Sequence, residues 1–325
     1  MTRWGPIIAL MLGGVALAVM LLSVGLQPIL AAIALGGPAL PAALVIHGAQ
    51  LSCAGLAWRE ALGERRLSGW FVARVRWIRE GINTLLPAAH IGGQVVGVRL
   101  LVQARVAPVR AVVGTILDVV LETGAQALVV LTAVLWLFAV REGAQDKLTW
   151  IGAGLGGLGL TVAGLLVALR LGVLRAAEAA LERVASRWPG SSAWSMEGLH
   201  ETLMRRQADR AAMGRALLLN AASWSLGTFE VWVFLRAMGV VPGLDACFLI
   251  ESLAMAARSA GFFIPGAVGV QEGGFVLACG LFGIETETAL ALSVLKRLRE
   301  LAIGGLALVV WQCFSPRPVR SGPST

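Results

Sequence analysis

Long apolar stretches recur along this chain, and its charges are confined to a few places between and within them. From Gly5 to Leu26 there is no charged side chain. At ~1.5 Å per helical residue that run is long enough to cross a hydrocarbon core of ~30 Å. Pro38 and Pro41 open a second run to about Trp58, which carries His47 and Gln50. Apolar runs over Ala111–Val140, Leu148–Leu169, Ala216–Leu235 and Ala289–Trp311 follow. Of the 325 residues, 14% are charged and 57% hydrophobic, where a soluble domain carries about 25% charged residues. The chain therefore reads as one integral membrane domain over residues 1–325. Arg3, with no small-residue cleavage pattern after it, marks a retained first helix.

Two stretches do not fit clean spanning helices. Trp77–Gln94 holds Arg79, Glu80, Asn83, Pro87, Gly92, Gly93 and Gln94; Ala257–Gly274 holds Arg258, Pro265, Gly266, Gly269, Gln271 and Glu272. Each runs from an arginine through an apolar step to a proline, then to small residues and a Gln or Glu beside glycines. One constant offset in the numbering relates Pro87 to Pro265, Gln94 to Glu272, and Glu122 to Glu300. Identity at this offset is otherwise weak. Backbone broken at membrane depth persists only where protein or a watery cavity satisfies its polar groups. The pair reads as two re-entrant helical hairpins facing each other across a shared cavity. The expected fold is an all-α polytopic membrane protein, with about six transmembrane helices plus the two hairpins in an inverted repeat. The repeat-like halves cover about 38–140 and 216–314. An outer loop 141–147, a helix 148–169 and a cytoplasmic amphipathic loop 170–215 join them.

The formal net charge is +8, and its distribution reads as topology and anionic-lipid contact, not nucleic-acid binding. Arg59 to Arg79 and the eight arginines of 170–215 mark the cytoplasmic side, with both termini inside. On this layout twenty Lys/Arg fall in cytoplasmic segments, three outside and four within the membrane. The loop 170–215, broken at Trp188–Ser192, reads either as a membrane-surface element or as a helical hairpin packed on the bundle.

Charges at membrane depth cost about 2.5–3.5 kcal/mol each on insertion scales. The chain nonetheless keeps Asp118, Glu122, Glu251, Arg258, Glu272, Lys296, Arg297, Arg299 and Glu300 in or near apolar segments. Asp118 and Glu122, four apart, share one helix face. Two readings stand: ion pairs that hold the broken hairpins in place, or a polar cavity for a lipid headgroup with Arg258, Lys296, Arg297 and Arg299 as anion contacts. The glycines suit close backbone approach or tight packing equally. His47 and Gln50 read first as helix–helix hydrogen bonds. Three histidines and four scattered cysteines have no metal-ligand spacing, and no nucleophile elbow or nucleotide fingerprint fits its context. No catalytic residue, metal or cofactor is expected, and the chain is read as not an enzyme.

The motifs Arg79–Asn83 with Leu86-Pro87 and Gly92-Gly93, and Phe263–Glu272, resemble the flippase-type transmembrane domain of lysylphosphatidylglycerol synthases. Within that family the likeness is to the hopanoid biosynthesis-associated (HpnL-like) branch. It covers most of the chain and departs at Gln94, where many members carry glutamate. It implies a multi-pass protein of the bacterial inner membrane that moves or places lipid, hopanoid or anionic phospholipid. Lipid-biosynthesis enzymes are its other implied partners. No soluble aminoacyl-transferase domain falls within it, so lipid aminoacylation is not expected. The alternative reading is a scaffold that gathers lipid-synthesis enzymes through 170–215.

Overall fold

The computed structural model describes residues 26–85, 92–140, 198–260 and 267–314, together with Gly159. These residues form an all-helical bundle with no strand among them. The helices are α1 (Leu26–Gly36), α2 (Leu40–Leu62), α3 (Gly69–Leu85), α4 (Gly92–Gln103), α5 (Pro108–Val140), α6 (Leu199–Ala208), α7 (Arg210–Ala237), α8 (Leu244–Ala260), α9 (Val270–Gly280) and α10 (Thr286–Phe314). A single 3-10 turn, Gly37–Ala39, joins α1 to α2. Pro38 and Pro41 sit there at helix starts, where a missing N–H costs nothing.

Local chemistry sets several boundaries. Gly63 closes α2 in the left-handed region, its N–H reaching the carbonyls of Arg59 and Glu60. Arg206 of α6 then donates to two carbonyls there, Glu60 at 2.7 Å and Ala61 at 3.2 Å. Asp209 caps α7 by accepting from the Ala212 N–H at 3.0 Å. Gly269, at φ +81, precedes α9, and its N–H donates to the Glu272 carboxylate at 2.7 Å. Together these place the start of α9 firmly.

The two central helices are α2 and α7, which pack along each other. Around them the packing repeats: α3 folds on α4 and α8 on α9; α3 lies on α10 and α8 on α5. The starts of α4 and α9, Gly92 and Val270, are related by the same offset as Pro87 and Pro265, and so are the starts of α5 and α10. The crossings correspond residue by residue. A Cβ on Gly81 of α3 would lie 3.0 Å from the Gly304 carbonyl of α10. At the repeat-equivalent positions, Gln126 of α5 donates to Ser259 of α8 at 2.8 Å. Helices α4 and α9, of 12 and 11 residues, span only about 16–18 Å, too short for a ~30 Å core. Residues 86–91 and 261–266, with Pro87, Pro265 and Gly266, lie outside the described residues, as does most of the first predicted span, of 148–169 and of 170–215.

The interior is largely apolar, yet it also holds charges while large apolar side chains lie outside. Arg76, Arg79, Asp118, Glu230, Glu272, Lys296 and Arg299 are buried, while Leu131, Leu135, Trp136, Leu301 and Val309 are exposed. Helix α5 is apolar on both its packed and its exposed sides, as a helix against lipid must be. Among the described residues, two stretches are long and apolar enough to cross a membrane: Leu26–Leu62, with mean hydropathy 2.2, and Pro108–Leu137, with 1.8. Helices α7 and α10 are of similar length, but interior charges such as Glu230 and Lys296 interrupt their apolar character.

Candidate functional site

A cavity of about 350 Å³ lies at the centre of the bundle. Helix α3 contributes Arg76, Arg79, Glu80, Asn83 and Thr84 to its wall, and α4 contributes Gln94. On the other side α8 contributes Glu251, Arg258 and Ser259, and Gln271 and Phe275 come from α9. The long helices complete it with His47, Gln50, Glu122, Gln126, Glu230, Lys296, Arg299 and Glu300. Both helix pairs thus face one chamber.

The charges are arranged in closed groups. In the first, Asp118 of α5 accepts from Arg76 at 3.0 Å and from Arg79 at 2.6 Å. Glu122, one turn on, takes the other arm of Arg76 and lies 3.5 Å from Arg79. Asp118 is 0% exposed and Arg79 1%. The Trp58 ring, 5.1 Å from the Arg79 guanidinium, covers its free face. In the second, Lys296 of α10 joins Glu251 of α8 at 2.8 Å and Glu230 of α7 at 3.2 Å. Arg299, one turn on, lies 2.5 Å from Glu230 and donates to His47. Arg258 pairs with Glu300 at 2.7 Å. Arg297 pairs with Glu272 at 2.5 Å, outside the cavity wall.

His47 Nδ1 lies 2.9 Å from Gln50 Oε1, and Arg299 Nη1 lies 2.9 Å from Nδ1 and 3.2 Å from Nε2, so the ring bridges α2 to α10.

Ten of the residues singled out in the sequence lie on this wall. Arg79, Glu80, Asn83, Gln94, Glu122, Arg258, Gln271, Lys296, Arg299 and Glu300 come together there. Asp118, Glu272 and Arg297 stand behind it or beside it as pairing partners. Gly93 packs against α3, its N–H bonded to Asn83 at 3.0 Å. A Cβ on Gly274 would meet the Ala257 Cβ at 2.7 Å. Packing explains those two glycines, and Gly92 and Gly269 are helix-start positions. Arg76, read in the sequence only as part of the basic stretch that marks the cytoplasmic side, is 4% exposed and held by two carboxylates. Glu230 and Glu251 were legible as charges but not as cavity groups. The signal for Arg76 was its spacing of three from Arg79, one face of a helix.

Among the described residues, no group of three or more His, Cys, Asp or Glu is placed to hold a metal. What the geometry provides is a polar, charge-balanced chamber inside a bundle with an apolar exterior. That defines a membrane protein with an internal polar site. The chain belongs to the family described as the lysylphosphatidylglycerol synthase TM region, whose model matches residues 7–307. Among curated proteins and solved structures, nothing matches the chain.

Proposed function

We propose that this protein is a lipid transporter that carries or places a lipid headgroup through the cavity between two re-entrant helix pairs. One observation carries the reading: paired, buried charges from both helix pairs line a single cavity in a bundle whose outer surface is apolar. Burying so many ions is costly unless each is paired. Ordinary helix packing needs none of them, whereas a headgroup crossing an apolar core needs polar walls.

The short helices α4 and α9 and the constant offset between the two halves support an inverted repeat, with the helix pairs inserted from opposite faces. Such a pair closes a central site alternately toward each leaflet. The lipid tails would stay against exposed apolar side chains such as Leu128 and Leu135 of α5. Hopanoid and phospholipid cargo both suit this scheme, in a bacterial inner membrane with both termini cytoplasmic.

Reconstitution tests it. Purified protein in phospholipid vesicles should accelerate exchange of a fluorescent lipid between leaflets over protein-free vesicles. No acceleration under any ion gradient, with hopanoid or phospholipid tracer, would sink the proposal.

A further inference from the structure

Every Lys and Arg on the described cavity wall already holds an acid. Arg76 and Arg79 hold Asp118 and Glu122. Arg258 holds Glu300. Lys296 and Arg299 share Glu230, and Lys296 also holds Glu251. The described lining carries five basic and five acidic side chains, Glu80 among the acids, and Asp118 stands behind it. Glu80 lies within electrostatic reach of Arg76 and Arg258. The described wall is thus dense in charge, yet it offers a lone ion no unclaimed counter-ion.

Such a wall discriminates among headgroups. A phosphate bound to a guanidinium would lie beside the carboxylate that the guanidinium already holds, and prising the two apart would leave a buried acid unpaired. An ammonium meets the same obstacle from the bases. A hydroxyl meets neither. It donates to a carboxylate and accepts from a guanidinium with the pair intact, and such charge-assisted bonds are the stronger kind. Among the described residues, Arg258 and Glu300 meet through one Nη1–Oε1 contact, so further N–H groups and the second oxygen remain for a guest. Uncharged groups share the wall: Asn83 and Thr84 on α3, Gln94 on α4 and Gln271 on α9. The acceptors Gln94 Oε1 and Gln271 Oε1 and the donor Gln50 Nε2 are buried without a hydrogen-bond partner among the described residues. Hydroxyls supply both of the roles those atoms lack. Trp224 adds an aromatic surface to the wall. At about 350 Å³ the cavity stands at the small end of ligand pockets, with room for a headgroup and not for lipid tails.

We infer that the cavity selects a lipid headgroup with no net charge and several hydroxyls, a sugar or polyol, over a phosphate-bearing one; the inference narrows the transport reading above and rests on it. The ion pairs hold the hydroxyls, and the pairing itself turns ions away. Specificity then depends on the balance of the wall: removing the acid of one pair frees a base for phosphate.

The test uses the full chain in phosphatidylcholine vesicles carrying a trace of one lipid labelled on its acyl chain. The tracers are monoglucosyl diacylglycerol, phosphatidylglycerol and phosphatidylethanolamine, and leaflet exchange of each is measured against protein-free vesicles. In the wild type the glycolipid should exchange at least about ten-fold faster than either phospholipid. Glu300→Gln takes the acid from Arg258, and the ratio of glycolipid to phosphatidylglycerol exchange should fall about ten-fold, toward one. Gln271→Leu removes an uncharged acceptor that bonds nothing else among the described residues, and should slow the glycolipid more than phosphatidylglycerol. Size-exclusion profiles and thermal midpoints confirm that each variant is folded. Either phospholipid keeping pace with the glycolipid in the wild type, or an unchanged ratio in both folded variants, overturns the inference and leaves transport standing. No wild-type exchange of any tracer overturns the transport reading and this one with it.

Discussion

Arg258 and Glu300 form a 2.7 Å ion pair across α8 and α10, while their repeat equivalents in the first half, Glu80 and Glu122, are both acidic. Arg258 is 38% exposed, so solvent screens part of the attraction. Arg258→Met and Glu300→Gln should each lower the thermal midpoint in detergent. The double variant should lose less than the two together, with a coupling of about 0.5–1 kcal/mol. Strict additivity would mean that the pair is not formed in the folded protein.

Asp118 holds two buried guanidinium groups at once. Asp118→Ala leaves Arg76 and Arg79 with Glu122 alone and should cost about 3–5 kcal/mol, the usual effect of removing one partner of a buried pair. Replacing Arg79 by Met in the same chain should recover part of that loss. Fluorescence-detected unfolding of the purified variants reads both effects.

Helices α2 and α3 touch at Gly55, where a Cβ would lie 2.9 Å from both Cα and N of Ala73. These are backbone atoms and cannot rotate away. Gly55→Ala should destabilise by about 1–3 kcal/mol through overpacking. Gly48 on the same helix has nothing within 4 Å of that point. Gly48→Ala should be neutral or stabilising by up to about 1 kcal/mol. Equal effects at the two sites would contradict the α2–α3 contact.

The Ala212 N–H at the start of α7, aided by Arg206 and Arg215 against a smaller opposing cost of desolvation, holds the exposed Asp209 carboxyl below its ordinary value of 3.8. A depressed folded value means that the cap stabilises above the ordinary value and is lost as pH falls through the lower, folded one. Asp209→Asn keeps a capping oxygen that does not titrate. Amide exchange in the first turn of α7 should speed up below about pH 4 in the wild type, and that acid-dependent part should vanish in Asp209→Asn. An unchanged acid profile in the variant would show that Asp209 does not cap α7.

Much of the cavity was readable before any coordinates. The charges of α10 fall inside an apolar run, and an ion at that depth must face protein or water. The two Pro- and Gly-broken stretches located the short helix pairs, and their constant offset aligned them. Less was readable where a charge had two plausible homes. Arg76 stands in a basic stretch with Arg74 and Arg79 that reads as a marker of the cytoplasmic side, and only the fold shows its carboxylate partners on α5. Glu230 sits late in α7 and meets its partners Lys296 and Arg299 only through the packing of α7 and α10.

The sequence by itself determined that the chain is an apolar, all-helical membrane protein with charges kept at depth, because hydrocarbon length and ion desolvation act on local stretches regardless of their neighbours. Only the tertiary structure decided which acid neutralises which base. Pairing depends on distances between helices far apart in the chain, and those distances leave Glu80, among the described wall carboxylates, without a salt bridge of its own.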